Sequence, residues 1–180
     1  MKNYALKKSV TGKEIKKCRE KLGVSQEEFA QLANVSKKTV ERWEYSRQPV
    51  TGPIVTLIQL LMSKPELEEK LIIPEKKWPV RLSYMFRDEL CTIIDVDDSS
   101  HRVNALNYTD FFLKKAFGNN DAPTYEDYEA FLESRCFPRT RDKMKLILRE
   151  MNLPFYDPMM IIEKTEGRMA EDDFWIRIER

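Results

Sequence analysis

Residues 25–44, SQEEFAQLANVSKKTVERWE, hold two helix starts separated by one tight corner. Ser25, followed three residues later by Glu28, is a capping box. The hydroxyl accepts from an amide of the first turn while the carboxylate reaches back to the cap's own amide. The pattern predicts a helix from about residue 26, with Phe29, Ala30 and Ala33 on its inward face and Ala30 small enough for a close crossing. Asn34 tolerates the left-handed backbone of a corner, and Ser36 caps the next helix, SKKTVERWEYS. Upstream, Thr11 and Glu14 form another capping box, which starts a helix near residue 12.

Two short helices joined by so brief a turn make a helix-turn-helix unit, whose second helix is sized to enter a major groove. Val40 and Trp43 are its inward positions, which leaves Lys37, Lys38, Glu41 and Arg42 outward. A tryptophan at an inward position belongs to a core rather than to a base stack. Two lysines in the first turn sit at the positive end of the helix dipole, which disfavours each by roughly a few tenths of a kcal/mol. An anionic partner removes that conflict. DNA is such a partner, and lysine and arginine donate to guanine acceptors in the major groove.

The same stretch resembles the helix-turn-helix of the lambdoid phage repressors and the wider xenobiotic-response-element class of bacterial regulators, over about residues 11–63. Within that class, WEYSRQPVTGPIVTLIQLL (43–61) is similar to the loop and following helix of antitoxins that regulate their own toxin-antitoxin operons. Ser46 and Asn34 stand where glycine is usual in those proteins, and each is compatible with a helix terminus. The resemblance implies that Lys37, Lys38 and Arg42 read bases, that Gln26 touches backbone and base, and that Ser36 and Thr39 bond phosphate oxygens. It implies that Arg19 and Glu44 form an internal salt bridge locking the first helix to the third. Arg47 and Thr51-Gly52-Pro53, with Pro53 at the first helical position, are expected to approach a phosphate through a cation and backbone amides.

Charge is distributed in a way that suits this reading. The 180 residues carry a net charge of only +1, which argues against a uniformly basic nucleic-acid binder. Met1 to Trp78 holds 16 Lys and Arg against 10 Asp and Glu, however, while the remainder holds 15 against 20. A basic half is tied to an acidic half. No stretch approaches the ~18 apolar residues of a membrane span, and MKNYALKKSV lacks the apolar core of a secretion signal, so a cytoplasmic protein is expected. Cys18, Cys91 and Cys136 have no CxxC spacing, which suggests buried thiols rather than disulfides or a zinc site.

From Thr11 to Leu71 the pattern is helical, and then IIPEKKWP brings two prolines around a charged pair. The expected organisation is a helix-turn-helix domain over 1–72, a linker over 73–79 and a small domain over 80–180. In the latter, VRLSYMF and ELCTIIDV read as strands, with turns at Asp88 and at Asp97-Asp98-Ser99-Ser100, and His101–Tyr108 as a third strand. TDFFLKKAF, PTYEDYEAFLESRCF and TRDKMKLILREM (from Thr140) read as helical, and DPMMIIEKTEG follows without an assignment. FWIRIER reads as a closing strand with Phe174, Ile176 and Ile178 on one face. The fold class is therefore α+β: an all-α, lambda repressor-like helix-turn-helix domain followed by a small α+β domain.

No catalytic constellation, cofactor site or metal site emerges in the second half. His101 is the sole histidine, and Asp95, Asp97 and Asp98 lack the Gly and terminal Glu of a calcium loop, so a hairpin turn explains them better. Glycine-rich phosphate loops, GxSxG and HExxH are all absent. Arg135, Arg139, Arg141 and Lys143 around Pro138, with the acidic run Glu171-Asp172-Asp173, could pair with each other, with a second copy or with a protein partner. The expectation is a non-enzymatic, autoregulatory repressor that binds double-stranded DNA as a homodimer, its second domain dimerising it or meeting a cognate toxin. The alternative is an antitoxin whose second domain is the active part, neutralising a toxin directly or carrying an unrecognised enzymatic activity, with DNA binding setting its expression.

Overall fold

The computed structural model describes residues 3–180, which divide into two units after Ile73. The first is all helical: α1 (Gly12–Leu22), α2 (Gln26–Leu32), α3 (Lys37–Tyr45), α4 (Pro53–Ser63) and the single turn α5 (Glu66–Glu69). Its core draws one stripe from each longer helix, with Ile15 and Cys18 from α1, Phe29 and Ala30 from α2, Val40 from α3, and Ile54, Ile58 and Leu61 from α4. Trp43 packs half-buried against this cluster. A two-residue antiparallel bridge fastens the ends together, Val10 and Val50 exchanging amide bonds of 2.9 and 2.8 Å. Gly12 permits the closest approach. A Cβ there would lie 2.5 Å from the Trp43 carbonyl oxygen and 2.6 Å from that of Glu44, so α1 can start against the end of α3 only because no side chain intervenes.

The second unit is α+β. An antiparallel sheet in the order β3-β2-β1-β4 is built from β1 (Val80–Phe86), β2 (Glu89–Asp97), β3 (Arg102–Asn107) and the last strand β4 (Phe174–Glu179). Strand β4 returns beside β1 with Leu82 opposite Ile178, Tyr84 opposite Ile176 and Phe86 opposite Phe174, which gathers these alternate residues on one face. That face forms a core with α6 (Tyr125–Ser134), α7 (Met144–Glu150) and α8 (Pro158–Thr165), through Tyr128, Phe131, Leu132, Ile161 and Ile162 among others. A register shift between Tyr84 and Met85 adds one residue to β2 and brings Cys91 into the same core.

On the opposite face Arg81 and Asp95 are cross-strand partners, joined by bonds of 2.6 and 2.8 Å. Arg81 also donates to the carbonyls of Pro74 and Glu75, and the Lys77 amide donates to Asp95. Most of the stretch read as a linker is thereby tied to the second unit. The other two carboxylates considered beside Asp95 go elsewhere: Asp97 accepts from the amide and hydroxyl of Ser99, and Asp98 from Tyr125.

Three local expectations are corrected. TDFFLKKAF is not a helix but a single 3-10 turn, Phe112–Lys114. Phe111, Phe112 and Leu113 are all exposed, so a helix here has no apolar face to bury. The segment is held instead by Ala116 donating to Thr92 and by Lys114 paired with Glu89. The helix expected from Thr140 starts at Met144, because the chain first turns at Pro138–Arg141 and Lys143 takes a left-handed conformation. Arg135 is not part of a surface basic cluster. It is buried, donating to Asp172 at 2.7 and 3.0 Å and to the carbonyls of Gly167 and Phe174, with its guanidinium against the Tyr84 and Phe174 rings.

Arg135 thus satisfies the carbonyls that lead into β4. Replacing it with Met is expected to cost about 3 kcal/mol, because carbonyls and a carboxylate lose their donors in a buried setting. Native-state hydrogen exchange checks this. The amides of β4 should lose protection in Arg135→Met while those of α1–α3 keep theirs, and equal loss in both units would contradict the assignment.

Candidate nucleic-acid interface

Local sequence sets each helix start at the candidate interface. In α1 the Thr11 amide donates to Glu14 at 2.7 Å and the Glu14 amide to the Thr11 hydroxyl at 3.3 Å. In α2 the Ser25 amide donates to Glu28 at 2.6 Å and the Glu28 amide to Ser25 at 3.2 Å. Ser36 caps α3 through the Thr39 amide, and its hydroxyl lies 3.0 Å from that of Thr39. Between α2 and α3, Asn34 adopts a left-handed φ of 52° and the Val35 amide closes on the Ala30 carbonyl at 2.9 Å. Ser46 is extended, with φ of −65°, so the position needs no glycine.

The side chains of α3 sort into two faces. Val40 is fully buried and Trp43 half-buried, while Lys37, Lys38, Arg42 and Arg47 (just beyond the helix) are exposed and Thr39 is intermediate. Lys37 lies 3.6 Å from Glu27 on α2, an exposed pair of little energetic weight. Lys38 and Arg42 form no ion pair with any described residue. Tyr45, 84% exposed, was not singled out from the sequence. Its signal was its spacing, three residues after Arg42 and four after Glu41, on the outward face.

One buried carboxylate joins three helices behind this face. Arg19 donates to Glu44 through Nε at 2.7 Å and Nη2 at 3.3 Å, and through Nη1 to the Val24 carbonyl at 3.1 Å. The Gln26 side-chain amide nitrogen donates at 2.8 Å to the Glu44 oxygen that also accepts from Arg19 Nη2. Gln26, at the first position of α2, is therefore oriented by α3. No spacing in the sequence connects residues 18 apart, so this bond was invisible there. Burial pushes the Glu44 carboxyl up, but the Arg19 and Gln26 bonds outweigh it and the net shift is downward.

The third part of the edge is the start of α4. Gly52 has φ of 95° and no side chain caps the helix, with Pro53 following in the first turn. The Val10–Val50 bridge carries Lys8 and Ser9 alongside Thr51 and Gly52, a juxtaposition not foreseen from the sequence.

In the second unit, His101 and the two thiols each contact other groups, the sulfurs lying beside the Glu89 and Pro158 carbonyls. His101 stacks on Tyr125 at 4.5 Å, whereas Cys91 and Cys136 are buried. Burial pushes the Cys136 thiol up to about 12 and raises that of Cys91 as well. Both favour the unreactive thiol form.

Residues 15–61 match the family described as Helix-turn-helix, and the N-terminal unit is a helix-turn-helix domain of the lambda repressor-like, DNA-binding class. Over 58 residues the chain is 36% identical to a protein named Antitoxin HigA-2 from Vibrio cholerae. The alignment covers 32% of this chain and 56% of that protein, so the chain spans about half the length of the curated relative it matches. No solved structure matches the chain. No helix among the described residues is long and apolar enough to cross a membrane.

Removing the Glu44 carboxylate should destabilise the N-terminal unit by about 3 kcal/mol near neutral pH, since Arg19 and Gln26 lose a buried acceptor. The folded pKa of Glu44 is below the usual glutamate value of 4.5, so its contribution is present above that pH and fades as pH falls through the folded pKa. Glu14, lowered to about 2 by Lys7 and the Thr11 amide, acts in the same sense. The melting temperatures of Glu44→Ala and the parent should accordingly draw together as pH falls below 4.5 and through the folded pKa. Equal melting temperatures at pH 7 would remove the salt bridge from the account.

Proposed function

We propose that this protein is a sequence-specific transcriptional regulator that binds double-stranded DNA as a homodimer and represses its own operon in the cytoplasm. One observation carries the reading: α3 offers Lys38, Arg42 and Tyr45 outward, uncommitted to ion pairs, on a helix whose other face is anchored by Val40 and Trp43. A helix presented in this way fits a major groove, where arginine or lysine donates in bidentate fashion to guanine. Gln26, Ser36 and Thr39 flank it at the starts of α2 and α3. Arg47 and the open start of α4 supply a cation and amides for a phosphate. Two copies on a near-palindromic operator would follow from the two-fold symmetry usual for such modules.

The second unit, in this reading, is not catalytic and serves assembly or the binding of a protein partner. The raised thiol pKa values speak against a thiolate nucleophile at Cys91 or Cys136. A second reading draws on the likeness to a protein named as an antitoxin: the C-terminal unit neutralises a cognate toxin by direct contact, and DNA binding sets expression of the pair.

Titration of the protein against DNA from upstream of its own gene, with scrambled competitor and varied salt, tests the proposal. Selective binding that weakens steeply with salt is expected. Arg42→Ala should cost about 1–3 kcal/mol on the selected site and relax preference at one base pair. Tyr45→Ala should weaken binding with α3 still folded. If Arg42→Ala weakened all sequences equally, base reading by that residue would be wrong. Absence of any selected site in a random-sequence pool would overturn the DNA reading.

A further inference from the structure

The C-terminal unit carries a cleft of about 560 Å³ between the β2–β3 turn, α6 and the start of α8. Its lining is one-sided in charge, with Asp98, Glu129, Glu133 and Asp157 against a single cation, Arg139. Tyr125, Tyr128 and Tyr156 supply aromatic walls. One end shows which chemistry these walls accept. Arg139 lies over Tyr156, 4.6 Å from the ring centroid, while its Nη2 donates to Glu133 at 2.6 Å. The other end has carboxylates and tyrosines but no lysine or arginine. There the Tyr125 hydroxyl donates to Asp98 at 3.0 Å, His101 covers one face of the Tyr125 ring, and Glu129 is exposed.

Tyr128 is an independent pointer. It is 1% exposed, yet its hydroxyl has no hydrogen-bond partner among the described residues. Native structures leave few buried polar groups in that condition, because the lost solvation is not repaid. Burial raises the phenol pKa, and the carboxylates of Asp98, Asp157 and Glu129 raise it further, so the hydroxyl lies in the negative field of the cleft. An anionic ligand is disfavoured by that field. No three carboxylates come together as metal ligands among the described residues, so the acceptors are dispersed rather than focused on a point. Dispersed acceptors between aromatic faces suit a flat cation with several N–H donors.

We propose that this cleft binds a guanidinium group, with the Tyr128 hydroxyl, Asp98 and Glu129 accepting its N–H bonds. Two sources share this chemistry, a free small cation and an arginine side chain of a peptide. Calorimetric titration of the full-length protein, with nitrogen-resolved NMR to map the site, separates them. The probes are agmatine and the peptide Gly-Gly-Arg-Gly-Gly, each beside an isostere whose guanidinium is replaced by an uncharged urea, with citrulline replacing arginine in the peptide. Binding of either guanidinium probe is expected, with its urea isostere at least about tenfold weaker. The preferred probe identifies the source.

Tyr128→Phe distinguishes the site from a packing defect. It removes only the unpaired hydroxyl, so the unliganded protein should melt at the same temperature or higher while affinity falls by about fivefold or more. Glu129→Gln, an exposed change, should also weaken binding, whereas Lys164→Gln, outside the lining, should not. No binding by either probe at about 10 mM, which corresponds to affinity too weak for a built site, would overturn the proposal. So would equal binding of the urea isosteres, or unchanged affinity in Tyr128→Phe.

Discussion

Glu44 sits with 4% of its side chain exposed at the point where three helices meet. A carboxylate in that position is unfavourable by itself, and it is tolerated because Arg19 from α1 and Gln26 from α2 both donate to it. The consequence is geometric. α1, α2 and α3 cannot slide past one another without leaving a buried charge unpaired, so the outward face of α3 and the first residue of α2 keep a fixed relation. Gly12 acts toward the same end by letting α1 begin against the last turn of α3. The candidate interface is thus held from behind, by groups that do not take part in it.

The second unit uses the same device twice. Arg81 and Asp95, paired across two strands, draw the chain at Pro74–Lys77 onto the sheet. Arg135 gathers the carbonyls and the carboxylate that precede β4, and so closes the sheet with the last strand of the described chain. In each case a planar guanidinium satisfies several acceptors at once, a task for which a lysine has the wrong shape. Arg139 against Tyr156 and Glu133 is an exposed version of that arrangement, and the rest of the cleft carries carboxylates and tyrosines without a lysine or arginine.

Much of the fold was legible because its cues are short in range. The boxes at Thr11–Glu14 and Ser25–Glu28 and the cap at Ser36 act over three residues, so their positions in the chain alone locate three helix starts. Alternation in VRLSYMF and the closing FWIRIE reflects the two-residue period of a strand. The same reasoning failed at TDFFLKKAF, whose residues favour a helix in isolation but have no surface against which a helical stripe could be buried. It also failed at Thr140, a plausible cap preempted by a proline turn and a left-handed Lys143.

What the sequence determined on its own is therefore local: where helices and strands begin, which faces are apolar, and that Lys37, Lys38 and Arg42 lie outward on α3. Only the tertiary structure decided which charges meet. Gln26 and Glu44 are separated by 18 residues, Arg135 and Asp172 by 37, and the buried Tyr128 hydroxyl is left without a partner among the described residues. A buried polar group must find its partner wherever the fold brings one within about 3 Å, and distance along the chain says nothing about that.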